Sequence, residues 1–251
     1  MQINGSTRVF MILGDPVAQV RAPETFNYLF ARHGVDAVLV PAQVAPRDFA
    51  GFVRHAFQAR NIDGLLLTIP HKTAMLALLD HCDRLGTIAQ AVNVARRNAD
   101  GSIEGALLDG TGFVKGLDHF GIALPGTSAL LVGAGGSGVA IAVSLADRGV
   151  ARLALYDVDA ARAAQAAASL RAAWPALDIA AAASADPAGF DLVVNATPLV
   201  RACQARGVTA HPGYEMMIQQ APETVAFFGL HELARTVAAD SSELRRLMQP
   251  V

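Results

Sequence analysis

Residues 129–140, Ala129-Leu130-Leu131-Val132-Gly133-Ala134-Gly135-Gly136-Ser137-Gly138-Val139-Ala140, decide how the rest of the chain is read. An apolar run stops at Gly133, glycines recur at 133, 135 and 138, and a helical pattern then begins. The spacing predicts a strand, a tight turn and a helix N-terminus. The first glycine makes the turn, the second lets backbone approach a pyrophosphate, and the third lets helix and strand pack closely. The helix start offers unpaired N–H groups and the positive end of its dipole to phosphate. Asp157 closes the next apolar run, at the position of a ribose-binding carboxylate. The pattern predicts a dinucleotide site on Gly133, Ala134, Gly135, Gly136, Ser137, Gly138 and Asp157; a purely structural glycine turn is the alternative.

Downstream, residues 153–156 and 190–195 read as strands and 177–180 as a shorter one. Residues 160–173 read as a helix, and the alanine-rich stretch around them reports helix propensity rather than a linker. Residues 214–230 and 233–248 are helical in pattern, with Pro222 a point where the first would kink or restart. Upstream, strands at 8–13, 37–41 and 64–69 alternate with helices at 23–33 and 46–60. That β-α-β-α-β order predicts a parallel sheet covered by helices. Residues 91–96 and 102–108 read as a hairpin, 111–120 as a helix, and 121–127 as a glycine and proline break leading into the opening stretch. The fold class expected is α/β in two domains. Residues 1–110 with 222–251 form an N-terminal substrate-binding α/β domain, and 111–221 a Rossmann-type dinucleotide-binding domain.

The chain has 251 residues, 53% hydrophobic and 17% charged, with a net charge of −2. A sizeable core is therefore possible, and no basic footprint for nucleic acid is present. No charge-free apolar run of roughly 18 residues predicts a membrane span, and the first residues lack the basic-then-apolar order of a signal peptide. Cys82 and Cys203 form no C-x-x-C pair and the histidines show no metal-ligand spacing. The expectation is a cytoplasmic protein, monomer or homodimer, with a small-molecule substrate, no metal, and neither nucleic acid nor membrane as partner.

Three polar spots follow apolar strands: Thr68 with Lys72, Asn93, and Asp109. The carboxyl ends of strands line the ligand site in open parallel sheets. A lysine and an aspartate meeting at one hydroxyl would relay its proton, while a nicotinamide would carry the hydride. Spacing alone leaves Lys72 equally readable as an ordinary helix residue and Asp109 as a turn residue.

Five blocks nevertheless resemble the shikimate/quinate dehydrogenase family over nearly the whole length. They are Gly14-Asp15-Pro16-Val17 followed by Pro23; Thr68-Ile69-Pro70-His71-Lys72; and Ala91-Val92-Asn93 with Gly105 and Asp109-Gly110-Thr111-Gly112. The fourth joins Gly133-Ala134-Gly135-Gly136 to Asn195-Ala196-Thr197-Pro198, and the fifth is residues 213–221. The resemblance implies an oxidoreductase acting on a ring hydroxyl of a shikimate-like substrate, in aromatic amino acid biosynthesis. It implies Lys72 and Asp109 as the catalytic pair, Thr68, Asn93 and Gln220 at the substrate, and Asn195, Ala196 and Thr197 in the cofactor half. A non-catalytic ligand sensor is the alternative, and the retention of Lys72 and Asp109 counts against it.

The departures bear on substrate and cofactor. The family's S-x-S pair, whose hydroxyls hold a substrate carboxylate, falls on Val20 and Ala22, which would line the same pocket. Further polar positions fall on Leu66, Leu107 and Leu108. A carboxylate against Val20 and Ala22 would cost roughly several kcal/mol unless another group, such as Arg21, met it. Shikimate is thus not expected to be the best substrate. Asp157-Val158-Asp159 stands where NADP-preferring members carry Asn-Arg-Thr. A carboxylate there accepts from ribose hydroxyls and repels a phosphate, so the expected cofactor is NAD rather than NADP, with Arg162 the residue against it. Between Asn195 and Gln220 the family pattern holds a further strand and loop for which this sequence is too short. Either the protein lacks them or the sequence joins the segments that flank them; the unpaired edge left by their removal favours the second.

Overall fold

A continuous apolar run, Val9–Leu13, makes β1 (Arg8–Gly14) an interior strand of the first sheet of the computed structural model, which describes residues 2–197 and 213–248. α1 (Ala22–Arg32) starts with a proline in its first turn and buries Phe26, Leu29 and Phe30 on one face. β2 (Ala37–Gln43), α2 (Phe49–Ala56) and β3 (Ile62–Leu67) follow, and β2 and β3 pair parallel to β1 on either side. α3 (His71–Ala74) is one turn that tightens into a 3₁₀ turn at Met75–Leu78. β4 (His81–Cys82), α4 (Arg84–Ala89) and the antiparallel hairpin β5 (Val94–Arg97) and β6 (Ile103–Ala106) complete a sheet of order β2-β1-β3-β5-β6-β4. Leu13, Val53, Leu65, Met75 and Val92 are fully buried within its core.

α5 (Asp109–His119) begins two residues earlier than the sequence pattern suggests, because Asp109 itself enters the first turn. β7 (Ser128–Val132), α6 (Gly136–Asp147), β8 (Arg152–Tyr156), α7 (Ala160–Ala173), β9 (Asp178–Ala181) and β10 (Leu192–Asn195) form an all-parallel sheet of order β10-β7-β8-β9. The alanine-rich stretch is helical to Ala173, and it buries Ala163, Ala166, Ala167 and Leu170 at helical spacing. α8 (Tyr214–Phe227) runs through Pro222 without a break, and two helices close the chain, α9 (His231–Ala239) and α10 (Ser242–Met248).

The chain divides into two compact units, Met1–Leu108 with Ala221–Val251, and Asp109–Gln220. In the first, Gly64 makes room for the Phe228 ring, which would lie 2.3 Å from any Cβ there. The mixed α/β architecture with parallel sheets is the one expected. Cys203, Pro198 and the 199–207 stretch, where the sequence is shorter than the family pattern, lie outside the described residues. Among the described residues no helix is long and apolar enough to cross a membrane.

Candidate functional site

In the first unit, main-chain hydrogen bonds knit the sequence-predicted residues together. Thr68 N–H donates to Leu13 carbonyl at 2.9 Å, and Leu67 N–H to Asn93 carbonyl at 2.8 Å. Asn93 N–H donates to Ala106 carbonyl at 3.0 Å, and Val92 N–H to the carbonyl of Lys72 at 3.0 Å. The ends of β1, β3 and β6, the start of β5 and the α3 turn thus meet around Thr68, Lys72 and Asn93. Gly14 allows this approach, since a Cβ there would lie 2.4 Å from Thr68 Cγ2. His71, 1% exposed, anchors the Lys72 turn. Its Nε2 lies 2.7 Å from Val44 carbonyl and its ring stacks on Phe49 with centroids 4.2 Å apart.

Asn93 is buried, and its Oδ1 accepts Leu108 N–H at 2.7 Å. Asp83, which the sequence reading passed over, accepts both Gly86 N–H at 2.9 Å and Leu107 N–H at 3.1 Å on one oxygen. The two peptides before Asp109 are therefore pinned by side chains. Burial pushes the Asp83 carboxyl above its ordinary value, and the two N–H groups partly offset this. The sequence signal was Asp-x-x-Gly ahead of an apolar run, a helix N-cap. Val20 and Ala22 are half-buried at the start of α1. Arg21 between them turns to the C-terminal helix: its guanidinium donates to the carbonyls of Leu247 and Met248, each at 3.2 Å, and to Glu24.

In the second unit, strand register sets Val132 opposite both Tyr156 and Asn195. The residues that follow each strand therefore lie side by side. Gly133 turns with φ +101° and donates to Tyr156 carbonyl at 2.7 Å; its backbone geometry is one that only glycine adopts cheaply. A Cβ on Gly138 would stand 1.9 Å from Gly133 carbonyl oxygen, so helix and turn close on each other there. Nothing lies within 4 Å of a Cβ built on Gly135. The loop thus presents an open cradle at the N-terminus of α6, which fits a pyrophosphate. Asn195 Oδ1 accepts both the N–H and the hydroxyl of Thr197, at 3.0 and 2.7 Å, bringing Ala196 and Thr197 against Gly133.

Asp157 does not present its oxygens as the sequence reading supposed. Its Oδ2 accepts Ala134 N–H at 2.8 Å and its Oδ1 accepts Asp159 N–H at 2.9 Å. The N–H of Asp159, then that of Ala134, with Arg162 adding to them, hold this carboxyl below its ordinary value. Arg162, largely exposed, lies 3.5 Å from Asp157 and 3.7 Å from Asp159. The carboxylate is a brace for the loop, with a guanidinium beside it.

Asp109 stands in the first turn of α5, where the helix dipole favours a negative charge. Gln220 Nε2 donates to its Oδ1 at 3.0 Å and Ser137 Oγ donates to its Oδ2 at 3.2 Å. The expected substrate contact of Gln220 is here a contact with Asp109. Two glycines make the site possible. A Cβ on Gly110 would stand 2.1 Å from Ala140 carbonyl oxygen on α6, and one on Gly112 would stand 2.4 Å from Met216 carbonyl oxygen on α8.

A family model described as the shikimate dehydrogenase substrate binding domain matches residues 12–95. The shikimate dehydrogenase (NADP(+)) of Acidiphilium cryptum is 34% identical over 276 aligned positions, covering 96% of this chain and 99% of that protein. A second, from Anaeromyxobacter sp., is 36% identical and covers 96% of this chain and 86% of its own length. Among solved structures, the shikimate 5-dehydrogenase of Thermus thermophilus, in complex with NADP(H) and shikimate, superposes with a TM-score of 0.76 at 24% identity. That match covers 92% of this chain and 100% of the other, and it speaks for the fold. The curated relatives are named for NADP(+), which overturns the expectation of NAD as the main cofactor. The physical reason is local: that expectation gave Asp157 to the ribose, whereas both its oxygens serve main-chain N–H groups.

Proposed function

The chain belongs to the shikimate dehydrogenase family, and on that premise we propose that it catalyses NADP-linked oxidation and reduction at a ring hydroxyl of a small cyclic substrate. The nicotinamide, when bound, supplies or accepts the hydride. The N–H groups of Gly135, Gly136 and Ser137 at the head of α6 would hold the pyrophosphate. Arg162 would meet the 2′-phosphate, a task suited to a fork of N–H donors.

Lys72 and Asp109 handle the proton of the substrate hydroxyl, a pairing that rests on the two family motifs that carry them. In the oxidative direction Lys72 Nζ takes the hydroxyl proton, and in the reductive direction it returns one, with the Asp109 carboxylate orienting the group. Thr68 and Asn93 hold neighbouring substrate hydroxyls. The observation that carries this reading is the state of Asp109, a buried carboxylate with a donor on each oxygen at the first turn of a helix. A ligand sensor has no need of a retained Lys72.

The substrate departs from a simple shikimate fit. Val20 and Ala22 offer no hydroxyl to a carboxylate, and Arg21 is bonded to the end of α10. A cyclic polyol whose recognition leans less on a carboxylate fits these residues better. Steady-state rates with NADP and NAD, each against shikimate, quinate and uncharged cyclic alcohols, test the reading. Turnover of an uncharged ring alcohol above shikimate is expected. Efficient turnover of shikimate would overturn the substrate assignment, and absence of any dehydrogenase activity would overturn the function.

A further inference from the structure

The second residue of α6, Ser137, belongs by position to the phosphate cradle, yet its side chain turns to the acid. Its hydroxyl donates to Asp109 Oδ2 at 3.2 Å, while Gln220 on α8 holds the other oxygen at 3.0 Å. The carboxylate is thereby fixed from two helices other than its own. The backbone geometry leaves little slack, because Gly110 lies against the first turns of α6 and Gly112 against α8, and neither has room for a Cβ. Asp109 is 5% exposed, so water does not stand in readily for a lost donor.

We infer that Ser137 is a positioning residue for Asp109, tying the glycine loop that cradles the cofactor phosphates to the carboxylate that orients the reacting hydroxyl. The inference rests on the proton-handling role given to Asp109 under the proposed function. One residue faces both ways. Its N–H lies in the first turn of α6, beside the glycine loop, and its hydroxyl serves the acid. The side chain then has a role that glycine-loop spacing does not require, since the turn, the close approach and the helix packing are all met by Gly133, Gly135 and Gly138. A carboxylate with one donor lost can turn about its Cβ–Cγ bond, and a small misplacement of a catalytic group is costly in rate. The loss should therefore fall on kcat rather than on cofactor affinity.

The test uses the full chain, with kcat and the KM for NADP measured for four variants. Ser137→Ala should lower kcat roughly tenfold and leave the KM for NADP within about twofold, and Ser137→Thr, which keeps the hydroxyl, should restore most of kcat. Asp109→Asn should lower kcat by about a thousandfold, and adding Ser137→Ala to it should cost nothing further, because the two act as one unit. An unchanged kcat in Ser137→Ala beside an inactive Asp109→Asn would overturn the inference and leave the function standing. A raised KM for NADP at native kcat, or a further tenfold loss in the double variant, would also overturn it, assigning the hydroxyl to the cofactor. Native kcat in Asp109→Asn would overturn the role of Asp109 itself, and the inference with it.

Discussion

Two aspartates of the second unit, Asp109 and Asp157, are both buried, and both have a donor on each oxygen. They differ in what donates. Asp157 is met by main-chain N–H groups of its own neighbourhood, Ala134 and Asp159, and is thereby part of the scaffold. Asp109, in the first turn of α5, is met by side chains of α6 and α8, which are distant from it in sequence. A carboxylate satisfied by main chain stiffens a loop and has little left for a ligand. One satisfied by side chains keeps its orientation but can exchange a partner for a substrate. The sequence reading gives both residues to ligands; both oxygens of Asp157 already accept main-chain N–H groups, and those of Asp109 accept from Gln220 and Ser137.

The largest effect that tests this contrast is on rate. Asp109→Asn should lower kcat by about a thousandfold with little change in the urea midpoint, because an amide fills the same space. If the rate survives, the contrast has no functional content. Asp157→Ala should do the reverse. It strands two N–H groups that now donate to a charged oxygen, at a cost of about 1.5–3 kcal/mol to the stability of its unit, with kcat of the folded enzyme nearly native. The sign of the pH dependence follows from the direction of its shift. A carboxyl held below its ordinary 3.8 contributes stability that is complete above that pH and is lost as pH falls through the lowered value. The gap between native chain and Asp157→Ala in urea denaturation should therefore be full at neutral pH and narrow below pH 3.8. A gap that stays constant into acid would show that the carboxylate charge is not what braces the loop.

Local features are legible in the sequence and distant ones are not. The glycine stretch announces its turn and its helix because each glycine answers a neighbour within a few residues, as Gly138 answers Gly133. The alternation of strands and helices in both units is legible for the same reason. Gln220 meets Asp109 across 111 residues of chain, and no spacing rule reaches that far. Asp157 is a different case. Spacing correctly places an acid after β8 but does not say which way its oxygens point. A signal is present, since Asp157-Val158-Asp159 is a short Asx turn in which the first carboxylate accepts the N–H two residues on. Asp159 then caps α7 by accepting from Ala161 and Arg162. Arg21 is a similar case: its place between Val20 and Ala22 suggests a partner for a substrate carboxylate, and it instead caps the last helix carbonyls at Leu247 and Met248.

The smallest effect bears on the guanidinium beside Asp157. Arg162 lies 3.5 and 3.7 Å from the two carboxylates and is largely exposed, so these ion pairs contribute little to stability. If Asp157 and Asp159 hold Arg162 ready for a 2′-phosphate, Arg162→Leu should raise the KM for NADP by roughly tenfold, the scale of one charge-assisted phosphate contact. The KM for NAD should stay within about twofold, because NAD lacks that phosphate, and the urea midpoint should hardly move. Equal losses for both cofactors would mean that Arg162 braces the loop as Asp157 does, extending the scaffold by one more residue. A loss confined to NADP would set the boundary between scaffold and ligand contact at the Asp157–Arg162 pair, with the carboxylate on one side and the guanidinium on the other.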